Sequence, residues 1–357
     1  MGDIMVAQSH YITHNIECSG YTYWTIEVAM PRIHDAILNC SIYLYKTRED
    51  AHAGEKTGGS GFLTRVPSSF EGGYVYAVTN SHVIREGNSP IIRINTKAND
   101  FDIYIAEPRH WYHHPDGDDL AVLPLSLEFT RYNLSLVPIG IFVDSKIIYD
   151  NYIGAGDGVF MIGRFIGYDS KQKNEPTVRF GNLSLGTPVG IEHERGYTQE
   201  SYLIESRSLS GYSGSPVFVY VPPFSQRWQR FKGETKPITT SSVGRQWLLG
   251  VDWGHKYMDE YVRERNGEIC SEQWKVRTNS GISCVVPAWK LMELLYIEEL
   301  TEMRRENDEK MKREAKEKRQ KKETGTSLDG ITKNEFHHIL DKASQPIEKP
   351  KSGQEQS

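Results

Sequence analysis

Residues 37–287 form a succession of short β-rich runs, each closed off by Gly, Pro, Asn or Asp. That punctuation limits the fold more than any other feature of the chain. Tyr74-Val75-Tyr76-Ala77-Val78 and the runs at residues 90–94, 101–105 and 120–123 make a first group; those at 159–162, 177–180, 216–220, 247–251 and 282–286 make a second. Runs this short, rich in β-branched and aromatic residues between turn signals, read as strands of a barrel or sandwich. Two groups predict two barrel-like halves, with a boundary near residues 140–155. Helical periodicity appears only at the end: residues 287–300 place apolar side chains at helical spacing, and Pro287 sits where a helix can start.

The following stretch, residues 301–323, holds 10 Lys or Arg and 7 Asp or Glu, so it is +3 and the remainder −8, summing to the chain's −5. It has no apolar seam. The pairs Glu306–Lys310, Asp308–Lys312, Glu309–Arg313, Glu314–Lys318 and Glu317–Lys321 predict a solvated helix held by i,i+4 attraction rather than a coiled coil or a nucleic-acid strip. Within residues 324–357, Thr332 and Glu335 have capping-box spacing, predicting a short amphipathic helix at 332–343 with Phe336, Ile339, Leu340 and Ala343 on one stripe. The polar end from Gln345 onward reads as disordered. At the other end, residues 1–36 form an extension in which Tyr21, Tyr23, Trp24 and Ile26 alternate enough for an extra strand.

Composition narrows the function classes. The chain is 38% hydrophobic and 25% charged with a small net charge, which gives no reason to expect nucleic acid as a main partner. No apolar run reaches membrane-spanning length, and no membrane partner is expected. Cys18, Cys40, Cys270 and Cys284 show no CxxC spacing, and the first twenty residues lack a secretory pattern. A cytoplasmic, reducing location is the expectation.

The chemistry concentrates at Ser210-Gly211-Tyr212-Ser213-Gly214-Ser215-Pro216-Val217. A serine on a glycine-rich turn ahead of a strand is a nucleophile only with a base, a carboxylate to orient it, and donors for an oxyanion. The backbone N–H groups of Gly211 and Ser213 are the candidate donors, since Gly211 and Gly214 permit turn conformations closed to other residues. Taken alone the run is equally an ordinary turn. Among 12 histidines, His82 stands out because an apolar run leads into Val78-Thr79-Asn80-Ser81-His82-Val83-Ile84 and Gly58-Gly59-Ser60-Gly61 precedes it. Asp118-Asp119-Leu120-Ala121-Val122-Leu123 offers a carboxylate at the threshold of a buried strand, where an Asp also commonly caps a turn. His113, His114, Asp116 and Asp118 form the one group of metal-ligand type, but beside Pro115 and Gly117 such residues are ordinary solvated turn residues. No metal and no cofactor is expected.

These motifs, in this order, resemble the trypsin-like (chymotrypsin-fold, S1-type) serine peptidases over residues 37–300. Gly58–Leu63 is similar to the family's early strand-turn-strand, the His82 run to its histidine motif, the Asp119 run to its aspartate motif and the Ser213 run to its serine motif. Gly250-Val251-Asp252-Trp253-Gly254 is similar to the strand that pairs with substrate backbone. The resemblance implies an all-β fold of two six-stranded antiparallel β-barrels, followed by a C-terminal helix and the charged helical tail. It implies a serine endopeptidase in which Ser213 attacks a peptide carbonyl, His82 shuttles the proton and Asp119, with Asp118 as competitor, holds the imidazole. Tyr212, Asp252, Trp253 and Gly254 would contact a protein or peptide substrate. Arg207, by counting back from Ser213, matches the pocket-base position and would favour an acidic side chain there, though an Arg paired with Glu205 at the surface is as ordinary. Ser215 stands where the family most often has Gly, and the cysteine pairs of secreted members are absent, as in intracellular bacterial-type members. Such relatives are often the regulated protease of a multi-protein system, which makes the C-terminal tail a candidate contact for a regulatory protein. The rival from another class is a peptide-binding pseudo-protease that keeps the barrels without cleaving.

Overall fold

The computed structural model describes residues 12–18, 21–27, 32–70, 72–164, 171–192, 196–206, 211–231, 234–240, 243–271 and 273–323. Arg207, the amphipathic helix expected at 332–343 and the polar end after it lie outside the described residues. An N-terminal hairpin, β1 (Ile12–Cys18) and β2 (Tyr21–Glu27), pairs antiparallel, so the alternating Tyr21-to-Ile26 run is a strand. Described residues up to Pro67 and from Gly73 to Leu300 form one compact unit; Ser68–Gly72 and the helix from Thr301 onward form a second.

The larger unit contains two large sheets beside two separate hairpins. The first is built from β3 (Ser41–Tyr45), β4 (Thr57–Val66), β5 (Tyr74–Thr79), β6 (Ile91–Asn95), β7 (Phe101–Tyr104), β8 (Tyr112–His113), β9 (Ala121–Leu125) and β10 (Val137–Pro138). Its order is β7-β6-β3-β4-β5-β9-β8, with β10 lying parallel against β4. This half departs from the expected six-stranded barrel: the path runs open from β7 to β8. Both end strands are short, four and two residues, so neither reaches the other. The gap is bordered instead by the segment before β10: Lys97 N–H donates to Arg131 O at 2.9 Å and Asn133 N–H to Asn95 O at 3.0 Å. Leu127, Tyr132, Leu134 and Leu136 of that segment pack on a core of Leu44, Leu63, Ala77, Ile84, Ile92 and Leu123.

The second sheet comprises β11 (Gly158–Gly163), β12 (Thr177–Leu183), β13 (Val189–Glu192), β14 (Thr198–Ser206) and β15 (Pro216–Val221). After a separate hairpin, β16 (Gln226–Phe231) with β17 (Glu234–Thr239), it continues in β18 (Arg245–Tyr261) and β19 (Lys275–Pro287). Here the ring closes. The order β12-β11-β15-β18-β19-β14 returns to β12 through the β12–β14 pairing, giving a six-stranded antiparallel barrel with β13 attached to β14. Its interior is apolar, with Val159, Met161, Ile204, Val217, Leu249 and Val285 buried. At Gly250 β18 leaves no room for a side chain against β19, since a Cβ there would stand 1.9 Å from Val286 O.

Four short helices, α1 (Asp35–Leu38), α2 (Arg48–Ala53), α3 (Ser81–Arg85) and α4 (Ser145–Asn151), lie between strands, and helix follows strand directly at Pro287, where α5 (Ala288–Leu295) buries Leu291, Leu294 and Leu295. The predicted 287–300 helix is interrupted: α5 ends at Leu295, capped by Tyr296, and α6 (Glu298–Glu323) starts afresh and runs through the charged stretch. α6 differs from a wholly solvated helix at Arg304 and Asp308, both nearly buried. Asp308 accepts from Ser68 Oγ at 2.6 Å and from Ser69 N–H at 2.9 Å, so its carboxylate serves the Ser68–Gly72 loop. No helix of the described residues is long and apolar enough to cross a membrane.

Replacing Gly250 by Ala forces a Cβ into the β18–β19 seam, an overpacking that typically costs about 1–3 kcal/mol. A fall in Tm of several degrees by calorimetry is expected, at about 2–4 °C per kcal/mol; an unchanged Tm would mean the seam is looser than its geometry.

Candidate active site

β5 stops at Thr79, and His82 occupies the first turn of a five-residue helix, α3 (Ser81–Arg85). The run around it is therefore strand-then-turn, not strand to its end. Asn80, the residue before the helix, does not cap it with its side chain; its Nδ2 donates to Asp119 O at 2.8 Å. That bond ties the end of β5 to the start of β9.

Asp119 then holds His82 twice. Its Oδ2 lies 2.6 Å from His82 Nδ1, and its Oδ1 accepts the His82 backbone N–H at 2.9 Å. A carboxylate accepts only, so the proton belongs on Nδ1 and the lone pair on Nε2 faces outward. Asp119 is 2% exposed, which strengthens both bonds by removing competing water. Asp118, the competitor, points elsewhere.

Behind this pair is a residue that sequence reading passed over. Gln199, fully buried on β14, accepts the Asp119 N–H at Oε1 (2.8 Å) and donates from Nε2 to Asp118 Oδ1 (2.7 Å). Asp118 Oδ2 in turn lies 3.4 Å from Lys290 Nζ on α5 and 3.2 Å from His114 Nδ1. A lone Gln gives no sequence signal, and its strand, Thr198–Ser206, is not among those the sequence predicts.

His113, His114, Asp116 and Asp118, the residues of metal-ligand type that the sequence reads as ordinary turn residues, do not converge as a set. His113 instead approaches Ser81 Oγ with Nδ1 at 2.8 Å, and its pKa is pushed down to about 4, first by burial and then by Arg85. The residues of metal-ligand type that do converge are His114, Asp118 and Glu293. Lys290 Nζ already stands 3.2 Å from Glu293 and 3.4 Å from Asp118, so a protein ammonium supplies the positive charge that a metal would bring.

The nucleophile turn is held from the first sheet. Ser60, on β4, donates its N–H to Ser213 O at 2.9 Å and its Oγ to Gly211 O at 2.9 Å. Gly214 has φ +90°, and a Cβ there would stand 2.0 Å from Ser60 O and 2.4 Å from Thr79 Oγ1; only glycine fits. Gly214 N–H donates to Asp252 O, and Asp252 N–H to Ser215 O, so the turn is clamped between β4 and β18. Among the described residues the N–H groups of Gly211 and Ser213 donate to no protein acceptor. Ser213 is half-buried, and its Oγ makes no hydrogen bond to His82. Such bonds often form only once substrate is present.

The remaining sequence candidates divide. Trp253 is half-buried, with Nε1 donating to Ser201 Oγ at 2.9 Å, and Gly254 has open space where a Cβ would go. Tyr212 is corrected: its side chain is fully buried, with its OH 2.6 Å from Thr177 Oγ1 and the Arg179 guanidinium over its ring. It is a core residue, because the turn rotates it inward while exposing its neighbours. Asp252 is corrected likewise, from a substrate contact to an interior carboxyl with no exposure. Alternation along β18 sends it to the face opposite Trp253. Neither of its oxygens accepts a well-formed hydrogen bond. Burial pushes its pKa up to about 8, with Ser283 offsetting only part.

Residues 59–219 match the model of the trypsin-like peptidase domain, and a domain of that kind occupies this part of the chain. No curated protein matches the chain. Similar solved structures include the HtrA-type protease AlgW with a decapeptide (16% identity, TM-score 0.38, covering 69% of this chain and 52% of that one). A variant of AlgW with a tripeptide gives 16% and 0.38, covering 72% and 59%. The Rv3671c protease from M. tuberculosis in its active form gives 14% and 0.39, covering 72% and 79%. The chain thus spans little more than half of either AlgW chain, and likenesses at these scores carry no weight for function.

The raised Asp252 pKa has a defined sign. The carboxyl is protonated in the fold and ionised in the unfolded chain between the ordinary 3.8 and about 8. Its stabilising contribution is whole below the unfolded value and is lost as pH rises through the folded one, at up to about 1.4 kcal/mol per pH unit. Asp252→Asn should flatten the fall in stability between pH 5 and 8, read by urea unfolding. A slope equal to wild type would mean the carboxyl is charged in the fold.

Proposed function

We propose that the chain is a serine endopeptidase that cleaves peptide bonds in protein substrates through Ser213, His82 and Asp119. The observation that carries this reading is the double hold of the nearly buried Asp119 on His82, at ring nitrogen and at backbone. A structural Asp–His pair has no need to fix both ring and backbone of one residue. Fixing both aims Nε2 in one direction.

In this mechanism His82 Nε2 takes the proton from Ser213 Oγ as the oxygen attacks the substrate carbonyl carbon. The imidazolium that forms is stabilised by Asp119, which stays ionised. The carbonyl oxygen gains the negative charge, and the unengaged N–H groups of Gly211 and Ser213 are the donors for it. Collapse breaks the C–N bond, with His82 returning the proton to the leaving amine and an acyl group left on Ser213. Water then enters, gives a proton to His82 and its oxygen to the acyl carbon, and the released Ser213 recovers its proton. Gln199, holding Asp119 by its backbone, is a positioning residue for the orienting carboxylate.

The same reading keeps the enzyme in a reducing cytoplasmic compartment as the regulated protease of a multi-protein system, with the tail as contact for a regulator. Cys40 and Cys284 are buried free thiols with pKa values pushed up to about 12, first by burial, and are inert there. A second reading, a peptide-binding pseudo-protease, draws on one observation: the missing Ser213–His82 hydrogen bond.

A fluorophosphonate probe separates the two. Wild type should label on Ser213, and Ser213→Ala should not; labelling that is absent, or that survives in the variant, sinks the triad. Asp119→Asn should retain the protein's far-UV spectrum yet slow labelling and cleavage by about 10³–10⁴-fold, since the amide favours the wrong tautomer of His82. A loss below tenfold would remove Asp119 from the mechanism.

A further inference from the structure

Where the loop before β9 meets α5, four ionisable side chains crowd together. The loop is fixed by its own backbone: His114 N–H donates to Leu120 O, Gly117 N–H to His114 O, and Leu120 N–H to Asp118 O. From these set positions His114 and Asp118 reach α5, which contributes Glu293 and Lys290. His114 is the odd member. Its side chain is fully buried, yet neither ring nitrogen makes a hydrogen bond among the described residues. Nδ1 lies 3.2 Å from Asp118 Oδ2 and Nε2 3.4 Å from Glu293 Oε2, near enough in distance and wrongly directed for N–H···O. A buried polar ring left so is costly unless something else engages it.

The spacing suits a different bond. Zinc bonds to nitrogen and oxygen of about 2.0–2.2 Å put neighbouring ligands of a tetrahedron about 3.3–3.6 Å apart. The two separations are close to that edge, and ligand atoms of His114, Asp118 and Glu293 all lie within 4.8 Å of one another. A metal takes one ring nitrogen. With Nδ1 as the ligand, His114 and Asp118 stay where they are and the half-exposed Glu293 moves to close the set.

Charge leaves room for the ion as well. Lys290 Nζ, 3.4 Å from Asp118 and 3.2 Å from Glu293, answers one of the two negative charges. With a neutral imidazole, the form that ligates metal, one is left over. A divalent ion answers both. Lys290 is therefore the ion's competitor for these carboxylates, and its side chain, one-fifth exposed, has solvent to move into. The donor set selects the metal: one imidazole with two carboxylates suits zinc, whereas magnesium and calcium take oxygen ligands.

We propose that His114, Asp118 and Glu293 bind one Zn²⁺ ion in exchange for the Lys290 ammonium, and that the ion restrains the candidate triad. Gln199 is then the outer partner of a ligand carboxylate, since its Nε2 donates to Asp118 Oδ1 at 2.7 Å. Its Oε1 accepts the Asp119 N–H at 2.8 Å. The second half of the proposal rests on the peptidase reading above: zinc that draws on the Asp118 carboxylate slackens this relay behind Asp119, and Ser213 reacts more slowly.

The test uses the full chain, titrated with zinc chloride in a calorimeter. Wild type should bind one ion. Glu293→Gln, a change at a half-exposed helix position, should weaken binding by about tenfold or more, and His114→Gln should do the same. Lys290→Gln should tighten it by about tenfold, because a competing like charge is gone; a cluster that is only a salt bridge gains no zinc affinity from that change. Magnesium chloride in large excess should leave the zinc isotherm unaltered. No binding, binding that neither ligand variant weakens, a Lys290→Gln chain that binds no tighter, or displacement by magnesium overturns the site. Fluorophosphonate labelling of Ser213 is followed with and without zinc, which should slow it by about tenfold in wild type and leave Glu293→Gln unaffected at the same concentration. Slowing that persists in Glu293→Gln puts the ion on His82 and overturns the link to the triad, as does unchanged labelling with the site filled. A chain that binds zinc as expected and never labels upholds the site and brings down the peptidase reading.

Discussion

Ser60 is the residue on which the candidate site depends. It is fully buried, and each of its polar groups crosses or closes a gap: its N–H goes to Ser213 O and its Oγ to Gly211 O, while its Oγ accepts the Arg164 N–H and its carbonyl accepts Thr79 Oγ1. Through that one side chain and peptide unit, the open sheet grips the turn of the closed barrel. The Ser60–Gly211 bond joins positions 151 apart in sequence, so the turn acquires its shape only when both halves have folded. A partly made chain has the residues but not the site.

A second layer performs the same office for the carboxylate. Asp119 is buried in a position where its negative charge would be costly without donors, and it receives them from the ring and the backbone of His82. Gln199 relays that order outward to Asp118, and Asp118 to Lys290 of α5. Helix α5 thereby contributes to the placement of a group at the entrance to β9. Neutral Gln199 is suited to the task, because it joins the Asp118 carboxylate to the Asp119 backbone amide without adding another charge.

What was legible in the sequence follows from how local each signal is. His82, Asp119 and Ser213 each sit beside an apolar run with a turn residue next to it, and that local contrast survives without knowledge of the fold. So does the strand punctuation, from which two β halves follow. The open path of the first sheet does not, since it depends on β7 and β8 being too short to meet, and strand ends are poorly specified by composition. Tyr212 and Asp252 enter the site only by their place within motifs that resemble the family's, whereas exposure depends on which way the turn and strand rotate a side chain. Ser60 and Gln199 were invisible because one polar residue in a strand has many bland explanations until its partners, far away in sequence, are known.

The bonds from Asp308 to Ser68 and Ser69 bear on how the tail can be studied. The tail invites truncation, and a cut before Asp308 would seem to remove only a charged helix. It would also strip the acceptor from two hydroxyls and an amide in the loop between β4 and β5, the strands that carry Ser60 and lead to His82. A defect in such a truncate would speak first of that loop. Cuts placed after Glu323 leave the acceptor in place, and only those separate the work of the tail from the upkeep of the domain.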